Sequence, residues 1–193
     1  MPHKFDTRNR NLLLSEERHE ALKPEELLRS LGLKRGQTMA DIGCGPGFFT
    51  VPAATIVGPR GLVIAGDVQG EMLSAVRSRV AEQGLENVRV VKTSDMEVPL
   101  PPGTCDLVLL AFILDEVPQR ARFLHRAARL AKPSGRIAVL EWEKHETPVG
   151  PPLEDRISPE ELIADAAAAG LTMEEQRALN EHQYLCVFVP AAH

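Results

Sequence analysis

Three cysteines in 193 residues, Cys44, Cys105 and Cys186, stand alone with no C-x-x-C spacing. That excludes a zinc knuckle or a redox pair written into the sequence and leaves buried free thiols as the expectation. Long apolar runs are missing as well: the longest, residues 107–114, falls far short of the ~20 residues that span a bilayer. No apolar segment follows the charges of the first residues, so no secretory signal is visible, and a cytoplasmic protein without a membrane partner is expected. A basic excess is lacking too. The chain has 22 Lys and Arg against 27 Asp and Glu, a formal net charge of −5. This argues against a nucleic-acid partner, because phosphate binding needs a clustered basic surface. Arg77, Arg79, Arg120, Arg122, Arg126 and Arg129 fall on amphipathic stretches, where a solvated face accounts for them. What is left is ordinary in composition, 44% apolar and 25% charged. Disordered, collagen-like and coiled-coil classes drop out, and the length suits one domain with a sizeable core.

Against that background one stretch organises the chain: Met39-Ala40-Asp41-Ile42-Gly43-Cys44-Gly45-Pro46-Gly47. An apolar run ends in an acid and then in glycines at alternate positions. Glycine lacks Cβ, so it adopts φ > 0 without strain and lets a ligand come against the backbone itself. With Phe48-Phe49-Thr50-Val51 behind it, the stretch reads as strand, loop and helix, the helix N-terminus offering unpaired N–H groups. An ordinary glycine-rich turn looks the same when taken alone.

The rest of the chain supplies the context. Residues 1–23 are polar with one apolar knot, Leu12-Leu13-Leu14, and read as an arm ahead of the main domain, residues 24–193. Residues 24–32 begin with proline and acids and end in glycine, which marks a short helix. A second apolar run, 61–67, ends in Asp67, and 71–83 has helical periodicity. Strands are expected at 87–92 and at 107–112, the latter apolar on both faces as a central parallel strand should be. The loop between them carries Ser94-Asp95-Met96 and a proline-rich turn. Pro118 opens a helix that should run to Lys132 and stop at Pro133. Residues 136–142 form a fifth strand, and 145–156 an irregular loop. Ser158-Pro159-Glu160-Glu161 is a capping box whose helix Gly170 closes, and residues 171–179 and 183–189 flank Asn180 as a hairpin. Such alternation predicts an α/β, Rossmann-like doubly wound sheet with right-handed crossovers. Ligands of these sheets bind beyond the carboxyl ends of the strands. The glycine loop, Asp67, Asp95 and the Leu114-Asp115-Glu116 turn all fall there.

A dinucleotide fingerprint reads G-x-G-x-x-G, with pyrophosphate on the helix N-terminus. Here the third glycine comes one residue early, and Asp41 precedes the loop by two positions, where an acid repels pyrophosphate and welcomes a cation. With these motifs the chain resembles the class I S-adenosylmethionine-dependent methyltransferases, above all small single-domain members similar to the quinone-type enzymes. The resemblance rests on Ala40-Asp41-Ile42-Gly43-Cys44-Gly45-Pro46-Gly47, Asp67, Ser94-Asp95-Met96 and the terminal hairpin, and spans residues 27–189. It implies a seven-stranded sheet with only the last strand antiparallel. By position it implies that Gly43, Cys44, Gly45 and Gly47 pack against the methionyl and ribose parts of S-adenosylmethionine and that Asp41 orients its ammonium. Asp67 would take both ribose hydroxyls, Val68 would lie on the adenine, and Ser94, Asp95 and Met96 would meet the adenine edge. Asp67 also suits a helix N-cap, and Asp95 an Asx-turn.

The implied reaction is in-line displacement at the sulfonium methyl, releasing S-adenosylhomocysteine, with the protein supplying alignment and exclusion of water. Asp115, Glu116 and His145 are the candidate catalytic residues, needed only where the acceptor must lose a proton; Glu141 lies nearby. Glu141 and Glu143 share a strand face but lack a third ligand, so no metal site is expected. The arm and residues 145–159 are candidate lids, both short, which suits a small-molecule acceptor. Two other readings stay open: a protein that binds the cofactor without turnover, acting as regulator or partner subunit, and a nicotinamide-dependent oxidoreductase.

Overall fold

The computed structural model describes residues 7–94 and 99–191. Its centre is a seven-stranded sheet in the order β3-β2-β1-β4-β5-β7-β6. The strands are β1 (Thr38–Ile42), β2 (Leu62–Asp67), β3 (Val88–Lys92), β4 (Cys105–Ala111), β5 (Ala131–Trp142), β6 (Leu171–Ala178) and β7 (Gln183–Pro190). Neighbours from β3 to β5 pair in parallel, while β7 pairs antiparallel with both β5 and β6. The chain runs outward from β1 to β3 and then returns to β4, so strand order reverses at the β1–β4 seam. That is where an open α/β sheet leaves a crevice for a ligand.

The two central strands are apolar on both faces because both are covered. Side chains alternate across a strand, and they divide into two clusters accordingly. Ala40, Ile42, Val108, Leu110, Ile137 and Val139 pack with Phe123 and Leu124 of α5 (Arg120–Ala128) and Leu162 of α6 (Pro159–Ala168). Met39, Leu107, Leu109, Ala138 and Leu140 pack with Leu28 of α2 (Pro24–Ser30) and Ala53 and Ile56 of α3 (Thr50–Val57). Burying a Leu, Ile or Val side chain is worth about 1.5–3 kcal/mol, so these two layers hold the strand ends, and whatever they carry, in fixed register. A third, smaller cluster joins Cys44 and Val51 to Leu73, Val76 and Val80 of α4 (Gly70–Glu82), placing that helix beside the glycine loop. All three cysteines are free and buried.

Two expectations change. The helix after Pro118 starts at Arg120 and ends at Ala128, five residues before the proline expected to stop it. Pro133 instead lies in β5, where the register jumps from Ala131↔Cys105 to Arg136↔Leu107. Proline has no N–H for a ladder, so a bulge is where a strand accommodates it. The arm is also more structured than its polarity suggested: a 3-10 helix (Thr7–Leu14) leads into α1 (Glu16–Leu22), capped by the Ser15 hydroxyl, which accepts from Arg18 N–H at 3.2 Å. Lys23, at φ 42°, turns the chain from α1 into α2.

The capping box at α6 is formed in full. Ser158 Oγ accepts from Glu161 N–H at 3.3 Å, and Glu161 Oε2 accepts from Ser158 N–H at 2.8 Å. Among the described residues no helix is long and apolar enough to cross a membrane. Replacing Ser158 with Ala leaves an N-terminal N–H without its partner, and the expected loss is about 1 kcal/mol. Urea unfolding should show a lower midpoint at unchanged slope; an unchanged midpoint would mean that the cap contributes nothing.

Candidate functional site

At the carboxyl end of β1 the backbone enters the left-handed region at Gly43 (φ 73°), Gly45 (φ 51°) and Gly47 (φ 87°). Gly43 and Cys44 donate their N–H groups to the Gly66 carbonyl at 2.8 and 3.0 Å, which binds the start of the loop to β2. A Cβ on Gly43 would lie 2.4 Å from Ile113 Cγ2, so only hydrogen fits there. Asp67, at the end of β2 and 6% exposed, grips the loop from the side: Oδ2 accepts from Gly45 N–H at 2.9 Å and Oδ1 from Gln69 N–H at 2.8 Å. It does not cap α4, whose N-cap is Gln69. From α4, Arg79 Nη1 donates to the carbonyls of Pro46 and Gly47 at 3.0 and 2.9 Å. This arginine is half-buried and fastens the loop, so the solvated face expected of it is corrected. Cys44 lies within the loop, and burial raises its thiol pKa well above the usual value, so it is not a nucleophile.

Asp41 sits below the loop on β1, 2% exposed, and its Oδ2 accepts from Thr50 Oγ1 of α3 at 2.6 Å. Burial pushes its carboxyl up to about 7, the Thr50 bond opposes that rise, and the charge of Asp67 adds to it. Near neutral pH this acid is therefore poised between its charged and neutral forms. Val68 is half-buried beside Asp67, and Ser94 is exposed beyond the end of β3. Asp95 and Met96 lie outside the described residues.

Across the seam, β4 runs into Phe112, held at φ 59° while its N–H donates to the Leu140 carbonyl at 2.8 Å. Asp115 and Glu116 follow in a single 3-10 turn (Leu114–Glu116), both half-buried. Glu141 of β5 holds this turn, Oε1 accepting from Ile113 and Leu114 N–H at 3.2 and 2.9 Å. Burial first, and then the charge of Asp115, raises the pKa of Glu141 well above its ordinary value, while the two backbone N–H groups it holds oppose that rise. His145 is exposed, its ring edge-on to His182 at 6.2 Å between centroids. The loop around it is organised by buried Arg156. That guanidinium donates to the carbonyls of Glu143, His145, Val149 and Pro151 and to Thr147 Oγ1, and stacks over Trp142 at 5.5 Å.

The arm closes the rim from above. Leu13 Cδ1 lies 3.6 Å from where a Cβ on Gly45 would be, and His19 meets Phe48 edge-on at 6.2 Å. Arg18 places its guanidinium between the Phe48 and Phe112 rings, 5.1 and 5.0 Å from their centroids. The fold thus brings Asp41, Gly43, Cys44, Gly45, Gly47 and Asp67 to one end of the sheet, with Asp115 and Glu116 across the seam and His145 at its outer edge. Sequence reasoning missed Arg18, the aromatic pair beside it and the bracing by Arg156. Only the aromatics carried a signal, since Phe48 directly follows the glycine stretch and Phe112 ends the fourth strand just before the Leu114-Asp115-Glu116 turn. Two acids flank left-handed backbone, and among the described residues no cluster of basic side chains meets the loop. That donor set fits a cationic, ribose-bearing cofactor and not a pyrophosphate.

Comparison with known proteins agrees with this geometry. The model of the ubiE/COQ5 methyltransferase family matches residues 2–151. The chain is 35% identical over 138 residues to the ubiquinone/menaquinone biosynthesis C-methyltransferase of Marinomonas sp., covering 71% of this chain and 55% of that protein. It is 34% identical over 131 residues to a demethylmenaquinone methyltransferase of Bacillus cytotoxicus, covering 68% and 55%. The chain therefore spans about half the length of these curated relatives. A solved S-adenosylmethionine-dependent methyltransferase from Aquifex aeolicus matches with a TM-score of 0.91 at 34% identity, covering 96% of this chain and 98% of that one. The [4+2]-cyclase SpnF, at 16% identity and a TM-score of 0.77, shares the fold alone. By sequence and by fold, the chain belongs to the ubiE/COQ5 methyltransferase family.

Proposed function

We propose that this chain transfers a methyl group from S-adenosylmethionine to a small-molecule acceptor. The working unit is one domain, residues 24–193, with the N-terminal arm as its cover. The observation that carries the reading is the meeting of three left-handed glycines with two buried acids, Asp41 and Asp67, where β1 and β2 end. The relatives' names supply the first acceptor class to screen, small quinone-type rings. The loop after β5 is short and tied down by Arg156, which supports a compact acceptor.

S-adenosylmethionine, when bound, supplies a methyl group already activated by the sulfonium charge. The chain's residues bind, orient and shield. Asp67 accepts from the ribose hydroxyls, and Val68, Ser94, Asp95 and Met96 surround the adenine. The backbone of Gly43, Cys44, Gly45 and Gly47 lets the cofactor lie close. Asp41 faces the cationic amino-acid end. Phe48 and Phe112 exclude water from the β1–β4 seam. Asp115 and Glu116 stand on the acceptor side, where a carboxylate can receive a proton if the acceptor must lose one. His145, exposed at the outer edge, is an acceptor contact. No nucleic acid or membrane takes part, and the reaction runs in the cytoplasm.

Calorimetric titration with S-adenosylmethionine, S-adenosylhomocysteine and NADH tests the reading directly. The first two should bind, and Asp67→Ala should weaken both by roughly 30- to 150-fold, the equivalent of about 2–3 kcal/mol for charge-assisted bonds. NADH binding with no response to the other two would replace the reading with an oxidoreductase.

The raised pKa of Asp41 generates a second expectation. A cation beside this carboxyl favours its ionised form, so binding below about pH 7 must expel a proton. Affinity for S-adenosylmethionine should fall between pH 7.5 and 5.5, approaching about tenfold per pH unit at the acid end. Asp41→Asn should flatten that slope, whereas a slope that survives the substitution would assign the proton to another group.

A further inference from the structure

Phe, Tyr and Trp are scarce, 4% of the chain, and unevenly placed. Phe123, Tyr184 and Phe188 lie in the core, and Phe48 and Phe49, edge-on to each other at 4.9 Å, are buried at the entry of α3. Among the described residues of these three types, Phe112 and Trp142 alone keep part of their surface exposed. Phe112 follows β4 and Trp142 ends β5, parallel neighbours in the sheet, and their rings meet with centroids 6.0 Å apart and planes at 53°. Phe112 leads into the turn that carries Asp115 and Glu116, and Trp142 follows Glu141, which holds that turn. The exposed pair therefore stands on the acceptor side of the proposed function.

Both rings are held where they are against some resistance. The Phe112 backbone is left-handed at φ 59°, strained for a residue with a side chain. Trp142 is fixed by the loop after β5. The Arg156 guanidinium lies 5.5 Å from the indole centroid. A Cβ on Gly150 would lie 3.0 Å from Cδ2 and Cε3 of the indole, and Gly150 itself is at φ 113°, so the loop backbone passes this close as glycine. The five N–H groups of Arg156 are matched by five oxygens, the carbonyls of Glu143, His145, Val149 and Pro151 and the Thr147 hydroxyl. No fork is left for an anion, and the guanidinium serves to press the loop against the indole. An aliphatic side chain in ordinary backbone would cover this end of the sheet without strain or such a brace.

Resting on the methyltransferase reading, we infer that Trp142 is a specificity-determining residue for the acceptor: its indole is the platform on which a flat aromatic ring stacks, with Phe112 as the side wall. Ring faces carry negative charge density and ring edges positive, so an aromatic guest gains offset-stacked or edge-on contacts beyond the area it buries. A saturated guest of the same outline gains burial alone. Rings fixed before the guest arrives lose little freedom when it binds, which favours a rigid, flat acceptor over a flexible chain.

Titration calorimetry on the chain saturated with S-adenosylhomocysteine, using 1,4-dihydroxynaphthalene and its saturated analogue decahydronaphthalene-1,4-diol, tests the platform. The two share a carbon skeleton and hydroxyl positions, and the saturated diol is at least as apolar, so burial alone does not favour the flat one. The native chain should prefer the flat diol. Trp142→Leu should weaken that diol by roughly 2- to 10-fold, affect the saturated diol less and leave S-adenosylhomocysteine unchanged. Trp142→Phe, which keeps a ring, should recover part of the loss. Equal weakening of both diols would show that the indole only fills space, and undiminished affinity for the flat diol that the ring binds elsewhere; either overturns the assignment. A native chain that takes up S-adenosylhomocysteine yet binds neither diol, or both alike, overturns it too while the methyltransferase reading stands. Failure to bind S-adenosylhomocysteine would sink that reading and this inference with it.

Discussion

The carboxylate of Asp67 is the fastening on which the site depends. One oxygen holds Gly45 N–H and the other Gln69 N–H, so a single side chain couples the loop after β1 to the entry of α4. Arg79 returns from the same helix to the carbonyls on the far side of the loop. The loop is therefore gripped by its N–H groups on one side and its C=O groups on the other, and its left-handed glycines are held, not left to sample. A ligand that takes hydroxyl bonds from Asp67 shares a carboxylate already engaged in structure. Its binding is thereby coupled to the order of the loop, and substitutions at Asp67 act on affinity and on local stability together.

Charge is distributed along the rim with a consistent sign. Asp41 and Asp67 lie on the β1–β2 side, Asp115, Glu116 and Glu141 on the β4–β5 side, and the Arg18 guanidinium lies over the rings of Phe48 and Phe112 between them. Burying Asp41 has a cost that depends on pH. Its folded pKa lies near 7 against a reference of 3.8, so between those values the folded chain holds a proton that the unfolded chain releases. Stability falls as pH rises through that window, by about 4 kcal/mol at most, taking about 1.4 kcal/mol per pKa unit. A residue that only served the core would be better replaced by an apolar one. On the proposed function, a cation that binds beside this acid would favour its charged form and recover part of that stability.

Much of this was legible in sequence because backbone physics writes it there. Alternate glycines behind Asp41 imply left-handed turns, and an acid at the end of the next strand implies a side-chain acceptor at the same rim. The S-P-E-E capping box and the Asn180 hairpin were placed by the same logic. The misses are those where tertiary contact overrides local pattern. Pro133 reads as a helix stop because a proline after an amphipathic run usually is one, yet the helix ends five residues before it and the proline is absorbed in a bulge against β4. Arg79 looked solvated because helical periodicity reports which face a residue is on, not which loop it can reach. Arg18 lies in a polar stretch with no motif, and its environment is built from residues 30 and 94 positions away.

The second half of the rim shows how little acid–base machinery the fold commits. Glu141 is buried and raised in pKa, and it holds the N–H groups of Ile113 and Leu114, so its work is to set the turn that carries Asp115 and Glu116. Burial raises the Glu141 pKa first, and the charge of Asp115 adds to that rise. The arrangement suits a transfer in which the donor is already activated and the protein's contribution is alignment inside a dry seam. On the proposed function, the determinants of acceptor choice fall to the β4 turn with its two acids and to the Arg156-tied loop, across the seam from the glycine loop and Asp67 that would hold the donor.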